Sequence, residues 1–161
     1  MSGPPGPTVV ELLADRNDLV EAVTDLRWRE WGCAPEPTDR AWWRAATVRE
    51  AGRDELPVTW VASDTSGVSG AVGLGEFDIE ERHDRSPWLL GMIVRPDRRG
   101  TGLGRLLVGE LERWARRKGY EQLWVANEGP AVNFYRRCEW QVHEMVVRSP
   151  RSTVTVLTKR L

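Results

Sequence analysis

Apolar residues recur along this chain with two periods, and the switches between them mark out its elements. The run over residues 8–13 reads as a short strand. Leu19, Val20, Val23, Leu26 and Trp31 then fall at helical spacing, with Asp15 or Asn17 placed to cap the helix and Gly32 to stop it. Pro35 and Pro37 break the chain. Thr38 is a natural cap for a second helix over residues 39–51, with Ala41, Trp42, Ala45 and Ala46 as its apolar face and Gly52 at its end. Residues 57–63 and 68–77 are β-rich runs joined by the turn at Asp64 to Gly67, and residues 88–95 form a third strand of the same antiparallel group. Over residues 101–118 the set Leu103, Leu106, Leu107, Leu111, Trp114 and Ala115 recurs at i, i+3, i+4, with Arg113, Arg116, Arg117 and Lys118 toward the C-terminal end and Gly119 as stop. A strand over 121–126, a short helix over 130–137 and a final hairpin over 140–147 and 153–158 complete the chain.

The resulting order, β-α-α-β-β-β-α-β-α-β-β, predicts an α/β domain: one mixed, mostly antiparallel central sheet of about seven strands flanked by four helices. At 161 residues the chain has room for one domain, assigned to residues 8–161, and the Pro- and Gly-rich stretch 1–7 reads as a disordered leader. No apolar run approaches the ~18 residues of a membrane span, and the opening lacks the basic start and apolar core of a secretion signal. A cytoplasmic protein without a membrane partner is expected. Cys33 and Cys138 form no C-x-x-C pair, so both are expected as reduced thiols, and no metal site is predicted.

A net charge of −1 argues against a nucleic-acid-binding protein. Its distribution is uneven. Residues 76–84 carry Glu76, Asp78, Glu80, Glu81 and Asp84 against Arg82 alone, whereas residues 95–118 carry eight basic residues against Asp97, Glu110 and Glu112.

The basic segment opens on a stretch with chemistry of its own. Residues 91–104 run an apolar strand into an arginine- and glycine-rich turn that starts a helix. Amides in the first turn of a helix lack intrahelical partners and sit at the positive end of its dipole, so the turn is suited to a pyrophosphate. Gly100, Gly102 and Gly104 allow close approach and φ > 0. A Walker loop is excluded because no Lys-Ser or Lys-Thr follows. A dinucleotide fingerprint is disfavoured by the G-x-G-x-G spacing and the position past mid-chain.

Arg99-x-x-Gly102-x-Gly104 after Met92-Ile93-Val94-Arg95-Pro96, with Asn133-Phe134-Tyr135-Arg136-Arg137 downstream and the element order above, resembles the GCN5-related N-acetyltransferase (GNAT) family over residues 8–160. The resemblance implies acetyl-CoA as co-substrate, with no metal, and a pantetheine arm held by the main chain of Met92, Ile93 and Val94 where the fourth strand splays from the fifth. It places the pyrophosphate on Arg98, Arg99, Gly100, Thr101, Gly102, Leu103 and Gly104, with Arg105 as a helper, and makes Tyr135 the general acid. Asn127 and Asn133 are rival coenzyme contacts, Asn127 standing one residue out of the usual register. Relatives commonly have glycine where this chain has Glu139. The fourth strand offers no carboxylate, so the general base falls to Glu76 or Asp78, directly or through water; alternation places both on one face with Val72 and Leu74, and Glu76 is the first choice. Trp28 and Trp31, beside the wall that this family uses for the acceptor, together with an acidic rim of Glu76 and Asp78, point to an amine-bearing or cationic acceptor.

The function expected is direct transfer of acetyl from acetyl-CoA to the primary amine of a small molecule. The alternatives are a peptide or protein N-terminal acetyltransferase and a catalytically silent coenzyme A sensor. The final strands leave monomer and homodimer equally open.

Overall fold

The computed structural model describes residues 6–161. The strands are β1 (Val9–Leu12), β2 (Val58–Asp64), β3 (Gly67–Gly75), β4 (Trp88–Val94), β5 (Gln122–Asn127), β6 (Gln141–Ser149) and β7 (Ser152–Arg160). The helices are α1 (Val20–Trp31), α2 (Arg40–Arg49), α3 (Leu103–Arg117) and α4 (Ala131–Arg137). The strands form one open sheet in the order β1-β2-β3-β4-β5-β7-β6. Antiparallel pairing joins β1 to β2, β5 to β7 and β6 to β7, while β4 meets β5 in parallel with Trp88 opposite Trp124. This is the mixed, mostly antiparallel sheet with four helices that the pattern predicts. Residues 1–5, most of the expected leader, lie outside the described residues; the Gly6 amide donates to Thr65 Oγ1 at 3.1 Å.

Contacts group the chain into two compact units, residues up to Gly73 with Gly91–Leu111, and Leu74–Leu90 with Glu112–Leu161. In the first, Leu13, Val20, Val23, Val61, Val68, Ala71 and Ile93 form a buried core against which Leu26 and Trp31 pack. Each large aliphatic side chain buried there contributes roughly 1.5–3 kcal/mol. Gly70 is needed because a Cβ at that position would stand 2.9 Å from the Ile93 carbonyl oxygen and 3.1 Å from Leu107 Cδ1. In the second unit Ile79, Trp88, Trp124, Val146, Val154 and Val156 form the core. A buried ion pair sits there too: Lys159 Nζ donates to Glu112 at 3.0 and 3.1 Å, and Trp140 Nε1 donates to the same carboxylate at 3.1 Å.

Three local expectations need correction. α1 takes no side-chain cap from Asp15 or Asn17; two short 3-10 turns lead into it, and Asp15 instead pairs with Arg53. α2 is capped by Asp39, whose carboxylate accepts from the Ala41 amide at 3.0 Å, one residue later than Thr38. Its buried face is Trp43, Ala46 and Thr47, with Ala41, Trp42 and Ala45 exposed. The adjacent indoles of Trp42 and Trp43 make either phase compatible with helical periodicity. The stack of Trp43 on Trp31, with ring centroids 6.2 Å apart, belongs to the phase the helix adopts.

Candidate active site

In the first unit, β4 delivers Met92, Ile93 and Val94 and then a turn held by its own arginines. The Arg95 amide donates to the Ser69 carbonyl at 2.8 Å, and its guanidinium donates to the Val68 carbonyl at 3.0 Å and to Asp97 at 2.6 Å. Arg98 forms ion pairs with Asp64 and Asp97 and donates to Ser66 Oγ at 3.1 Å, which ties the turn to the β2–β3 corner. Arg99 donates to the Val94 carbonyl at 3.1 Å and pairs with Glu30 on α1 at 3.3 Å. All three arginines, Arg95, Arg98 and Arg99, therefore shape the turn through contacts within the chain.

Beyond Arg99 the backbone is left-handed twice, with φ +75° at Gly100 and +86° at Gly102, and a Cβ built at either would meet no atom within 4 Å. Thr101 lies between them and donates its hydroxyl to the Arg98 carbonyl at 2.5 Å. Helical bonding begins at Leu106, whose amide donates to the Gly102 carbonyl at 3.1 Å. The amides of Leu103, Gly104 and Arg105 thus stand in the first turn of α3, ahead of that bond. Open space over the glycines and the positive end of a fifteen-residue helix fit a phosphate group.

The same unit holds a pocket of about 320 Å³ lined by Arg27, Trp31, Glu36, Trp42, Trp43, Ala46, Glu50 and Gly91. Trp42 packs edge-on against Trp43 with centroids 5.0 Å apart. Arg27, 4% exposed, pairs with Glu50 at 3.7 Å and donates over long distances, 3.4 and 3.5 Å, to Thr47 and Thr59. Its Nε is buried without a hydrogen-bond partner among the described residues. Burial pulls this guanidinium below its usual range, with Glu50 opposing. Trp28 does not line the pocket: its Nε1 donates to the Thr38 carbonyl at 3.0 Å and braces the α1–α2 loop. Arg27, Glu36 and Glu50 were not singled out from sequence. Arg27 had a signal, since an arginine interrupts the apolar stripe Val20, Val23, Trp31 at helical spacing.

In the second unit Tyr135 is 2% exposed, its ring edge-on to Phe134 and Trp140 at 5.0 and 5.6 Å. Burial raises its phenol above the ordinary range; the Asn127 amide pulls it back, and Cys138 and the Asp78 carboxylate add to the rise. Asn127 and Asp78 are therefore both close enough to act on the Tyr135 hydroxyl, although Asn127 Nδ2 makes no well-formed hydrogen bond among the described residues. Asp78 keeps an exposed surface, yet enough protein surrounds its carboxylate that desolvation pushes it up to about 6, with Arg148 opposing. Glu76 stands one residue past the end of β3 and is exposed, and Asn133 is exposed on α4. The group around Tyr135 is thus Asn127 and Asp78.

Glu139 adopts φ +69°, a left-handed conformation that glycine takes without steric cost. The loop 76–87 is stapled by Arg82 and Arg85, which both donate to Glu144 on β6, at 2.7 and 2.8 Å at the shortest.

Comparisons with known proteins bear on the family and the fold. The family model for the GNAT acetyltransferases matches residues 20–140. No curated protein shows a significant sequence match. Among solved structures, an aminoglycoside 6'-N-acetyltransferase complexed with coenzyme A is similar over 94% of this chain and 96% of its own, with 14% identity and a TM-score of 0.75. An acetyltransferase of the GNAT family from Streptococcus pneumoniae is similar over 96% and 99%, with 16% identity and a TM-score of 0.71. The yncA protein from Salmonella typhimurium, solved with acetyl-CoA, is similar over 95% and 93%, with 19% identity and a TM-score of 0.68. At these identities the structures establish the shared fold. With the family model spanning α1 to the end of α4, the chain belongs to the GNAT acetyltransferase family.

Proposed function

We propose that this chain transfers the acetyl group of acetyl-CoA directly to the primary amine of a small molecule. The observation that carries the first half is the turn at Gly100 and Gly102 leading into the N-terminal end of α3, whose open, left-handed glycine backbone suits a pyrophosphate. The structures of similar fold with coenzyme A or acetyl-CoA bound support the same ligand.

The second half rests on Tyr135, Asp78 and Asn127. The amine nitrogen attacks the thioester carbonyl, the C–S bond breaks, and the acetyl group ends on nitrogen. The nitrogen must shed one proton and the departing sulfur must receive one or be stabilised as thiolate. A carboxylate at about 6 is ionised at neutral pH yet basic enough to accept the nitrogen's proton, so we assign that role to Asp78 in place of Glu76. Tyr135 meets the sulfur. Full transfer from an ordinary phenol to a thiolate is uphill by about 2 kcal/mol, and burial of the Tyr135 hydroxyl adds to this, so its contribution is a hydrogen bond to the developing charge. Asn127 positions that hydroxyl.

A small acceptor is supported by the pocket of about 320 Å³, at the lower end of the usual range for small-molecule sites. The test is thiol release from acetyl-CoA against aminoglycosides, amino acids, aliphatic amines and short peptides. Turnover on one small-molecule class bears the proposal out; turnover confined to peptides would replace it with N-terminal acetylation, and coenzyme binding without turnover would favour a sensor.

A further inference from the structure

We infer that the pocket walled by Trp31, Trp42 and Trp43 is a site for an organic cation; on the acetyl-transfer reading above, it holds a second, non-reacting positive nitrogen of the amine acceptor. Trp31 and Trp43 lie 29° from parallel, and Trp42 stands at 74° to Trp43, so the three indoles offer both faces and edges. The electron-rich face of an indole attracts a cation, and does so most strongly where water is scarce.

The charge count in the pocket points the same way. Arg27 and Glu50 cancel as an ion pair, whereas the Glu36 carboxylate has no ion-pair partner among the described residues. A bound cation would therefore meet one uncompensated carboxylate and three indoles. An anion would find little of Arg27: it is 4% exposed, and its terminal nitrogens already face Thr47, Thr59 and Glu50.

The pocket also borders the strand that the acetyl-transfer reading uses. Gly91, immediately before Met92, forms part of its lining, and a Cβ there would stand 3.9 Å from Trp31 and 4.0 Å from Arg27 Nη2. Backbone without a side chain at this point opens the pocket beside β4.

Two measurements on the full chain separate this inference from the reading beneath it. The first is calorimetric binding of tetramethylammonium, which cannot be acetylated, in parallel with binding of coenzyme A. We expect saturable cation binding that weakens about tenfold in Glu36→Gln and in Trp42→Leu, both substitutions at exposed positions. The second compares kcat/KM for 1,4-diaminobutane, butylamine and 4-aminobutanoate. We expect the diamine to exceed butylamine by about tenfold or more, and that ratio to fall toward parity in the same two variants.

Coenzyme binding with no saturable tetramethylammonium binding overturns the cation site alone. Equal kcat/KM for the diamine and butylamine overturns it also, and preference for 4-aminobutanoate would hand the pocket to Arg27 and an anionic acceptor. Cation binding that is lost in the variants, with no coenzyme binding and no turnover, would keep the site and sink the acetyl-transfer reading.

Discussion

Replacing Glu139 by glycine should stabilise the protein, and the bonding around α4 sets the size of the effect. The Trp140 amide donates to the Tyr135 carbonyl and the Glu139 amide to the Arg136 carbonyl, both at 3.0 Å. That pair of bonds defines a Schellman close, with Glu139 as the left-handed residue and the Trp140 ring packed on Tyr135 as its hydrophobic contact. A left-handed conformation costs a residue with a Cβ roughly 1–2 kcal/mol. Glycine gives back about 0.5–1 kcal/mol through the greater freedom of its unfolded chain. The net gain is about 0.5–1 kcal/mol, which for a chain of this length raises Tm by roughly 1–4 °C. Urea denaturation and calorimetry on the wild type, Glu139→Gly, Glu139→Asn and Glu139→Val should rank them Gly, Asn, Glu, Val, because asparagine tolerates this region and β-branching does not. A glycine variant less stable than the wild type, or a valine variant as stable, would refute the reasoning.

Other expectations follow from single contacts. Asp78→Asn should remove the inflection near pH 6 from the kcat/KM profile: with the carboxylate raised to about 6, its ionised fraction halves near that pH, while in the variant only the slope set by deprotonation of the amine itself remains. An inflection that persists unchanged in the variant would remove Asp78 as base. Gly102→Ala puts a Cβ on φ +86° in the free protein and should cost about 1–2 kcal/mol of stability in urea denaturation; no loss would mean that the turn relaxes to another backbone conformation. Glu112→Ala leaves Lys159 without its buried carboxylate and should cost about 3–5 kcal/mol in urea denaturation; a loss below about 1 kcal/mol would mean that water reaches the ammonium.

What could be read from sequence was whatever depends on local periodicity and backbone chemistry. The strands and helices fall within a few residues of their expected limits because alternation and i, i+3, i+4 spacing determine which face can be buried. The turn at Gly100 and Gly102 was legible because a left-handed backbone all but demands glycine, and the left-handed Glu139 stands where the resemblance implies one. What escaped depends on neighbours distant in sequence. The phase of α2 is set by Trp43 packing on Trp31, twelve residues earlier. Alternation puts Glu76 and Asp78 on one face and cannot choose between them; β3 ends at Gly75 and the chain leaves the pleat, so the desolvation of Asp78 is set by surroundings the row does not describe. Asn127, one residue out of the expected register, lies near Tyr135, while Asn133 is exposed. The pocket itself needs α1, α2 and Gly91 together, and no single segment announces it.

The central claim is direct acetyl transfer to an amine nitrogen. Its sharpest test is a single-turnover reaction with acetyl-labelled acetyl-CoA, comparing the wild type with Tyr135→Phe and locating the label. The account predicts label on the amine product and none retained on the protein, with the rate lowered by about tenfold to a hundredfold in Tyr135→Phe while coenzyme affinity holds. Label trapped on the protein, or coenzyme bound with no labelled amine formed from any acceptor, would contradict it.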